Sequence, residues 1–445
     1  MKKKTIMKLI ASTIASVIML SLVGCGDKND ASEKGAVNDN PTASVEPTNE
    51  KVTLHVWHQW ANDTNELKKL YDEAVKEYMD ENKNVTIETE TLDTEAYKTK
   101  ISAEFAGNAS GIDVFYYWGA GTAKNIVNAG KLLPLDDYIT DEVKAKILPG
   151  SLNAFTYDGK TYSLPSFSWY MTLYCNKDLF DQAGAKLPET YDELVDAVTK
   201  LKEIDVTPIA AGAKDGWNAA FIYQALALRE VGATEINEML AGNKDFGDEG
   251  YKDAANKVID LYNMGAFGKN PLESGNDDAN ASFGIGKSAM RIMGSWFANN
   301  IYSDDSFTID PDNIAALNIP IIEGKGNASD YAGGFIESFW VNKNTKYADE
   351  AAKFAIYINE KMGVAAYETG TGFSGWTTDA DESNLNPLFI QIKDLLANSE
   401  NGVLAWDTSL SSEPATIHNE QVQTLFSPSA DVDSFIQAHK DAINK

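Results

Sequence analysis

At 445 residues the chain is too long for one ordinary hydrophobic core, so two lobes are expected. Its 43% hydrophobic and 23% charged content is that of a folded globular protein. With 38 basic against 66 acidic residues it is a polyanion, which repels nucleic acid and anionic headgroups, so no nucleic-acid partner is expected.

The first 24 residues do not belong to that fold. Lys2, Lys3, Lys4 and Lys8 form a positive region, and Leu9 to Val23 form an apolar run. That is a secretory signal, too short and wrongly flanked for a membrane span. It runs into Leu22-Val23-Gly24-Cys25, which resembles a bacterial lipobox. The Cys25 thiol is then expected to carry a diacylglyceryl group; the alternative is an ordinary signal peptide with a chance cysteine. Two acyl chains anchor stably where one is marginal, because each buried methylene contributes roughly 0.8 kcal/mol. Loss of residues 1–24 would leave 34 basic against 66 acidic residues, a net charge of −32.

Residues 26–50 contain no aromatic and only Val37 and Val45 as larger aliphatics, so they are expected to be a disordered linker. About 25 such residues span roughly 25–30 Å, enough to hold a domain clear of a membrane.

From Lys51 strand and helix patterns alternate. Val52 to Trp57 reads as a buried strand. Asp63, with Glu66 three residues on, reads as the cap of a helix whose stripe is Leu67, Leu70, Tyr71, Ala74, Val75 and Tyr78. Val85–Thr91 and Asp113–Trp118 read as strands. Thr190 and Glu193 form a capping box before Leu194, Val195, Val198 and Leu201. Asn386-Pro387 places a cap and a first-turn proline before Leu388, Phe389, Ile392, Leu395 and Leu396. Repeated βα units predict an α/β protein with mostly parallel sheets. With Cys25 committed to lipid, Cys175 has no disulfide partner and reads as a buried residue of the run Met171–Cys175.

Nothing in the pattern supplies a catalytic or metal motif. Gly286-Lys287-Ser288 mimics the end of a phosphate loop, but the leading glycine is replaced by Ala281. No G-x-S-x-G elbow occurs. The four histidines, at 55, 58, 418 and 439, have no zinc spacing, and the acidic run at 379–382 is no calcium loop. No enzyme activity, cofactor or metal is therefore expected. A secreted glycoside hydrolase stays open as an alternative, since two carboxylates would suffice and acids abound. So does an adhesive surface lipoprotein.

Several segments, in order, resemble extracellular solute-binding proteins of sugar importers, the family that includes maltodextrin-binding protein. They are VTLHVWHQW at 52–60, GIDVFYYWG at 111–119, GKLLPLDD at 130–137, YDGKTYSLP at 157–165 and LYCNKDLF at 173–180. LPETYDEL at 187–194, GKSAMRIMGSW at 286–296, GGF at 333–335 and YADEAAKF at 347–354 complete the set. The resemblance implies a two-lobed, hinged periplasmic-binding-protein-like (Venus flytrap) fold with discontinuous lobes. Residues 51–167 and 313–343 would form the N-terminal lobe, and 168–312 and 344–445 the C-terminal lobe, with crossovers near Pro165–Tyr170 and Lys343. It also implies a monomer on the outer face of the bacterial membrane, delivering a sugar to the permease subunits of an ABC importer.

A pyranose has two apolar C–H faces, which suit flat aromatic rings, and a rim of hydroxyls, which suits carboxylates, amides and imidazole. The candidate ligand contacts are His58 and Trp60 past the first strand, Trp118 with Gly119 and Gly121 leaving room, and Trp169 and Tyr170 at the first crossover. Trp217 in a turn before a helix, Trp296 after Gly294-Ser295, Glu337 and Trp406 complete the set. Core packing is the competing role for each tryptophan; Trp57 and Trp340 are expected in the core, and Trp376 is left open. Only Arg229 and Arg291 are present, so capture of an anion is disfavoured and a neutral ligand is expected; nine tryptophans and few strong charges favour an oligosaccharide over a monosaccharide.

Overall fold

The computed structural model describes residues 51–63 and 65–443. Cys25, the leader and the linker lie outside them. The elements that position the site begin with β1 (Val52–His58), α1 (Glu66–Glu81), β2 (Val85–Thr91), α2 (Thr94–Ala106), β3 (Val114–Trp118) and α3 (Ala120–Asn128). Next come β4 (Phe167–Asn176), α4 (Tyr191–Glu203), β5 (Thr207–Ile209), α5 (Gly216–Val231), β6 (Ser288–Gly294) and β7 (Ile314–Leu317). β8 (Tyr331–Phe335), β9 (Glu337–Val341), α6 (Ala348–Glu368) and β10 (Phe373–Ser374) follow. The chain finishes with α7 (Pro387–Ala397), β11 (Gly402–Val403), α8 (Trp406–Ser409), α9 (Ser412–Thr424) and α10 (Val432–Ile443).

Two sheets organise two lobes. The first has the order β9-β3-β1-β2, with β1 parallel to β2 and β3, and β9 antiparallel at the edge. The second is built around β4, all ten of whose residues are buried. A strand covered on both faces has no polar alternation, which is why Cys175 disappears inside it. The expectation of mostly parallel sheets fails here. β4 runs antiparallel to β6, β7, β8 and β10, and only β5–β6 and β8–β11 pair in parallel. Alternation of strand and helix in sequence does not say which strands become neighbours when the chain passes between lobes.

Local signals placed two of the three helix starts read from the sequence. Thr190 and Glu193 make the reciprocal capping box of α4, and Asn386 accepts from the Phe389 amide at 2.7 Å ahead of Pro387. At α1 the cap is Asn65, which accepts from the Leu67 amide at 2.9 Å, not Asp63. Asp63 lies outside the helix and pairs with Lys68 at 3.2 Å.

The lobe boundaries also need correction. β7 pairs with β4 from Leu173 to Asn176, so residues 314–317 belong to the second sheet. The chain changes sheets at Ile336: Phe335 pairs with Ser168, and Glu337 pairs with Trp118. α6 returns to the first lobe, burying Phe354, Ile358 and Met362 in that core, where it packs against α1. Its apolar stripe fits either lobe, and only packing decides. Three chain passages therefore lie side by side: at Pro165–Phe167, where the Ser166 amide donates to the Glu337 carbonyl at 2.9 Å, at Ile336, and around β10. Trp376 sits at the last of these, its indole N–H donating to the Pro165 carbonyl at 2.6 Å. Trp57 and Trp340 are buried in the first-lobe core.

Candidate functional site

One face of the second sheet carries an aromatic cluster. Trp169 projects from β4 and stacks on Phe221 of α5, centroids 5.2 Å apart. Trp217, one turn earlier on α5, meets Phe221 edge-on at 5.3 Å, as residues four apart on a helix must share a face. Trp296, just past β6, meets Trp169 edge-on at 5.7 Å. Trp169 is buried, whereas Trp217 and Trp296 keep part of their rings exposed. The cluster is a floor with two partly open walls.

Gly294 makes this possible in a way the sequence did not disclose. A Cβ there would lie 2.0 Å from the Trp296 ring, so the missing side chain is replaced by the indole itself, not by an approaching ligand. Gly119 and Gly121 likewise face protein: a Cβ on Gly119 would meet the Ala154 carbonyl oxygen at 2.3 Å, and one on Gly121 the Ser409 carbonyl oxygen at 2.0 Å.

Tyr170, next to Trp169 on the strand, necessarily points to the opposite face of the sheet. It stacks on Tyr331 at 5.6 Å, and its hydroxyl bonds to Asn318. It is core rather than cleft.

In the first lobe, Trp118 closes β3 opposite Glu337. Lys98 of α2 lies over its ring, with Nζ 5.2 Å from the centroid, so one face is already covered. Glu337 is buried and accepts from the Tyr116 hydroxyl. Burial pushes its carboxyl up to about 8, with Lys98 partly opposing and Asp407 adding to the shift, so the group is largely protonated at neutral pH. A protonated carboxyl both donates and accepts, which suits a hydroxyl partner.

Three further expected contacts are enclosed by packing. His58 is wholly buried, its Nδ1 accepting from the Trp60 amide at 3.2 Å; burial drives its imidazole down to about 3, so it is neutral. Trp60 turns inward at the strand end and lies against Tyr116 at 4.7 Å and His58 at 5.0 Å. Trp406 sits in the second-lobe core between Tyr223, at 5.6 Å, and His418, at 5.2 Å. A strand end or turn exposes a side chain only if no neighbouring helix covers it, and α1 and α9 cover these.

The residue after Trp406 reaches the space between the lobes. Asp407 faces a cavity of about 450 Å³ bounded by both lobes: Lys98, Trp118 and Thr122 on one side, Asp215, Gly216 and Asp407 on the other. Gly216 immediately precedes Trp217. Lys98 Nζ stands 3.8 Å from Asp407 Oδ2 across this space. Asp407 could have been found by its adjacency to an aromatic at a late turn; Lys98, a polar residue beside the buried stripe Tyr97, Ile101 and Phe105, carried no signal.

Both arginines are committed elsewhere. Arg229 donates to the carbonyls of Ile319, Asn327 and Asp330. Arg291 donates to the Ala210 carbonyl and to Asn218 and Asn276. Among the described residues no group of three His, Cys, Asp or Glu side chains could hold a metal ion, and no helix is long and apolar enough to cross a membrane.

A family model described as bacterial extracellular solute-binding protein matches residues 61–365. A solved structure from work on xylan utilization by the thermophilic bacterium Caldanaerobius polysaccharolyticus is 36% identical, with a TM-score of 0.84, covering 88% of this chain and all of that one. A chitin oligosaccharide binding protein is 26% identical, with a TM-score of 0.79, over 89% of this chain and all of its own length. The multiple sugar-binding protein of Streptococcus mutans is 27% identical over 222 residues, 48% of this chain and 51% of that protein.

Proposed function

This chain belongs to the bacterial extracellular solute-binding proteins, and we propose that it binds a neutral oligosaccharide between its lobes and delivers it to an ABC-type importer. The observation that carries the reading is the half-open cluster of Trp169, Trp217, Phe221 and Trp296 on one lobe, with Gly216, next to Trp217, lining a cavity bounded by polar groups of both lobes. Trp217 and Trp296 offer faces for the C–H surface of successive sugar rings, and in the cavity Asp407 and Asp215 offer acceptors and Lys98 a donor for hydroxyls. Neither arginine is free to clamp an anion, which supports a neutral ligand. Proteins related at 36% and 26% identity come from xylan utilization and from chitin oligosaccharide binding, which supports an oligosaccharide.

The three adjacent passages at Pro165–Phe167, Ile336 and β10 serve as the hinge. Sugar touching both lobes stabilises the closed state by its differential affinity for it, and the closed complex then docks on the permease. Acylation of Cys25 holds the protein at the outer face of the membrane, with residues 26–50 as the tether.

Thermal shift and titration calorimetry against xylo-, chito- and malto-oligosaccharides, with their monosaccharides, test the reading. At least one oligosaccharide raises the melting temperature and saturates one site, and is recovered uncleaved after long incubation. Absence of any shift across the panel overturns the sugar reading, and release of shorter sugars favours a hydrolase.

A further inference from the structure

We infer that residues 407–412 form an interlobe latch, a built-in set of contacts that sets the closed spacing of the lobes before any sugar arrives. The inference rests on the proposed binding by closure and adds its control. Every contact in the set joins a second-lobe group to α2 or α3 of the first lobe. The Thr122 hydroxyl donates to the Thr408 carbonyl at 3.1 Å. Asn125 Nδ2 donates to Ser412 Oγ at 3.2 Å, and Lys98 faces Asp407 at 3.8 Å. Between them the backbone at Ser409–Leu410 comes so near Gly121 that a Cβ there would stand 2.0 Å from one carbonyl oxygen and 2.5 Å from the next. Only glycine permits that approach.

The latch is anchored on one side and releasable on the other. Trp406 fixes its start in the second-lobe core. Its outer face meets the first lobe through hydrogen bonds, one ion pair and the bare backbone at Gly121, with Leu410 its one buried large apolar side chain. A small polar interface lets lobes part, whereas a large apolar one would weld them. The same turn carries Asp407 into the cavity, so a ligand that engages Asp407 bears directly on the latch. Apparent affinity then scales with the fraction of protein already closed.

The test uses the secreted chain without its leader, as wild type, as Gly121→Val and as Thr122→Val with Asn125→Ala. The valine props the lobes apart; the double variant only removes hydrogen bonds, from the part-buried Thr122 and the exposed Asn125, and keeps the protein folded should the valine not fold. Solution scattering without sugar should give a larger radius of gyration for both variants, more so for the valine. For any oligosaccharide that wild type binds, affinity should fall about tenfold in the valine variant at an unchanged binding stoichiometry. Scattering of the folded variants identical to wild type, with or without sugar, overturns the latch. Failure of wild type to bind any sugar would instead remove the proposed ligand, while the sugar-free scattering still decides the latch.

Discussion

Replacing Gly294 by Ala tests the aromatic platform without deleting it. The added methyl would lie 2.0 Å from Cζ3 of Trp296 and 2.4 Å from Cε3 and Cη2. Carbon atoms settle about 3.5–4.0 Å apart, so the indole must move by roughly 1.5 Å or more. Trp169 and Phe221 stand at 5.7 and 6.3 Å on its inner side, which leaves the cleft as the way out. Overpacking of this kind costs about 1–3 kcal/mol of stability. Trp296→Ala removes the face altogether. A stacked ring contributes roughly 0.5–1.5 kcal/mol beyond area burial, and with lost contact area the variant should bind about 2 kcal/mol more weakly, a factor of about thirty. Gly294→Ala should fall between this and wild type, and Trp296→Phe should recover part of the loss. Titration calorimetry with the best oligosaccharide, beside a melting curve for each variant, separates binding from folding. A lowered melting temperature with unchanged affinity in both Trp296→Ala and Gly294→Ala would refute the platform and make Trp296 a packing residue.

Acid should destabilise the protein. His58, His418 and His439 are buried neutral, at about 3 for His58, well below the usual value for His418 and about 4 for His439, each through desolvation first. The unfolded chain binds these protons near pH 6.5, so stability is present above that value and is lost as pH falls toward the folded values, by up to about 1.4 kcal/mol per pH unit for each group. The melting temperature should drop from pH 7 to pH 5, and a flat profile would contradict the burial. Glu337 has the opposite sign: held up to about 8, it is protonated in the folded protein while the unfolded chain is ionised, so stability is lost as pH rises from about 4.5 to 8. Glu337→Gln keeps an acceptor for Tyr116 and should flatten that alkaline-side decline in melting experiments. Cys25→Ser should move the protein from the membrane fraction to the medium, and unchanged fractionation would exclude acylation as its anchor.

Much of the architecture was legible because it is written in local periodicity. The strand at 85–91, the capping box at Thr190, the cap at Asn386 and the unbroken apolar run of β4 depend on neighbours in sequence, and a single chain shows them. The ordered family segments carried the two-lobed fold and its sugar reading further than composition could. The site was less legible. Trp169, Trp217 and Trp296 converge because β4, α5 and β6 meet on one face of the second sheet. His58, Trp60 and Trp406, equally plausible from their places at strand ends and turns, were taken into the cores by Tyr71, Tyr116, Tyr223 and His418. Tyr170 was turned to the other face of the sheet by one step of strand alternation, and Asp407, one residue past Trp406, is the one that lines the interlobe cavity. Sequence determines which residues have the chemistry to meet a sugar and where strands and helices begin. Which of those residues reach the cleft is settled by tertiary packing, because exposure of a side chain depends on what other, distant segments cover it, and local pattern does not encode that.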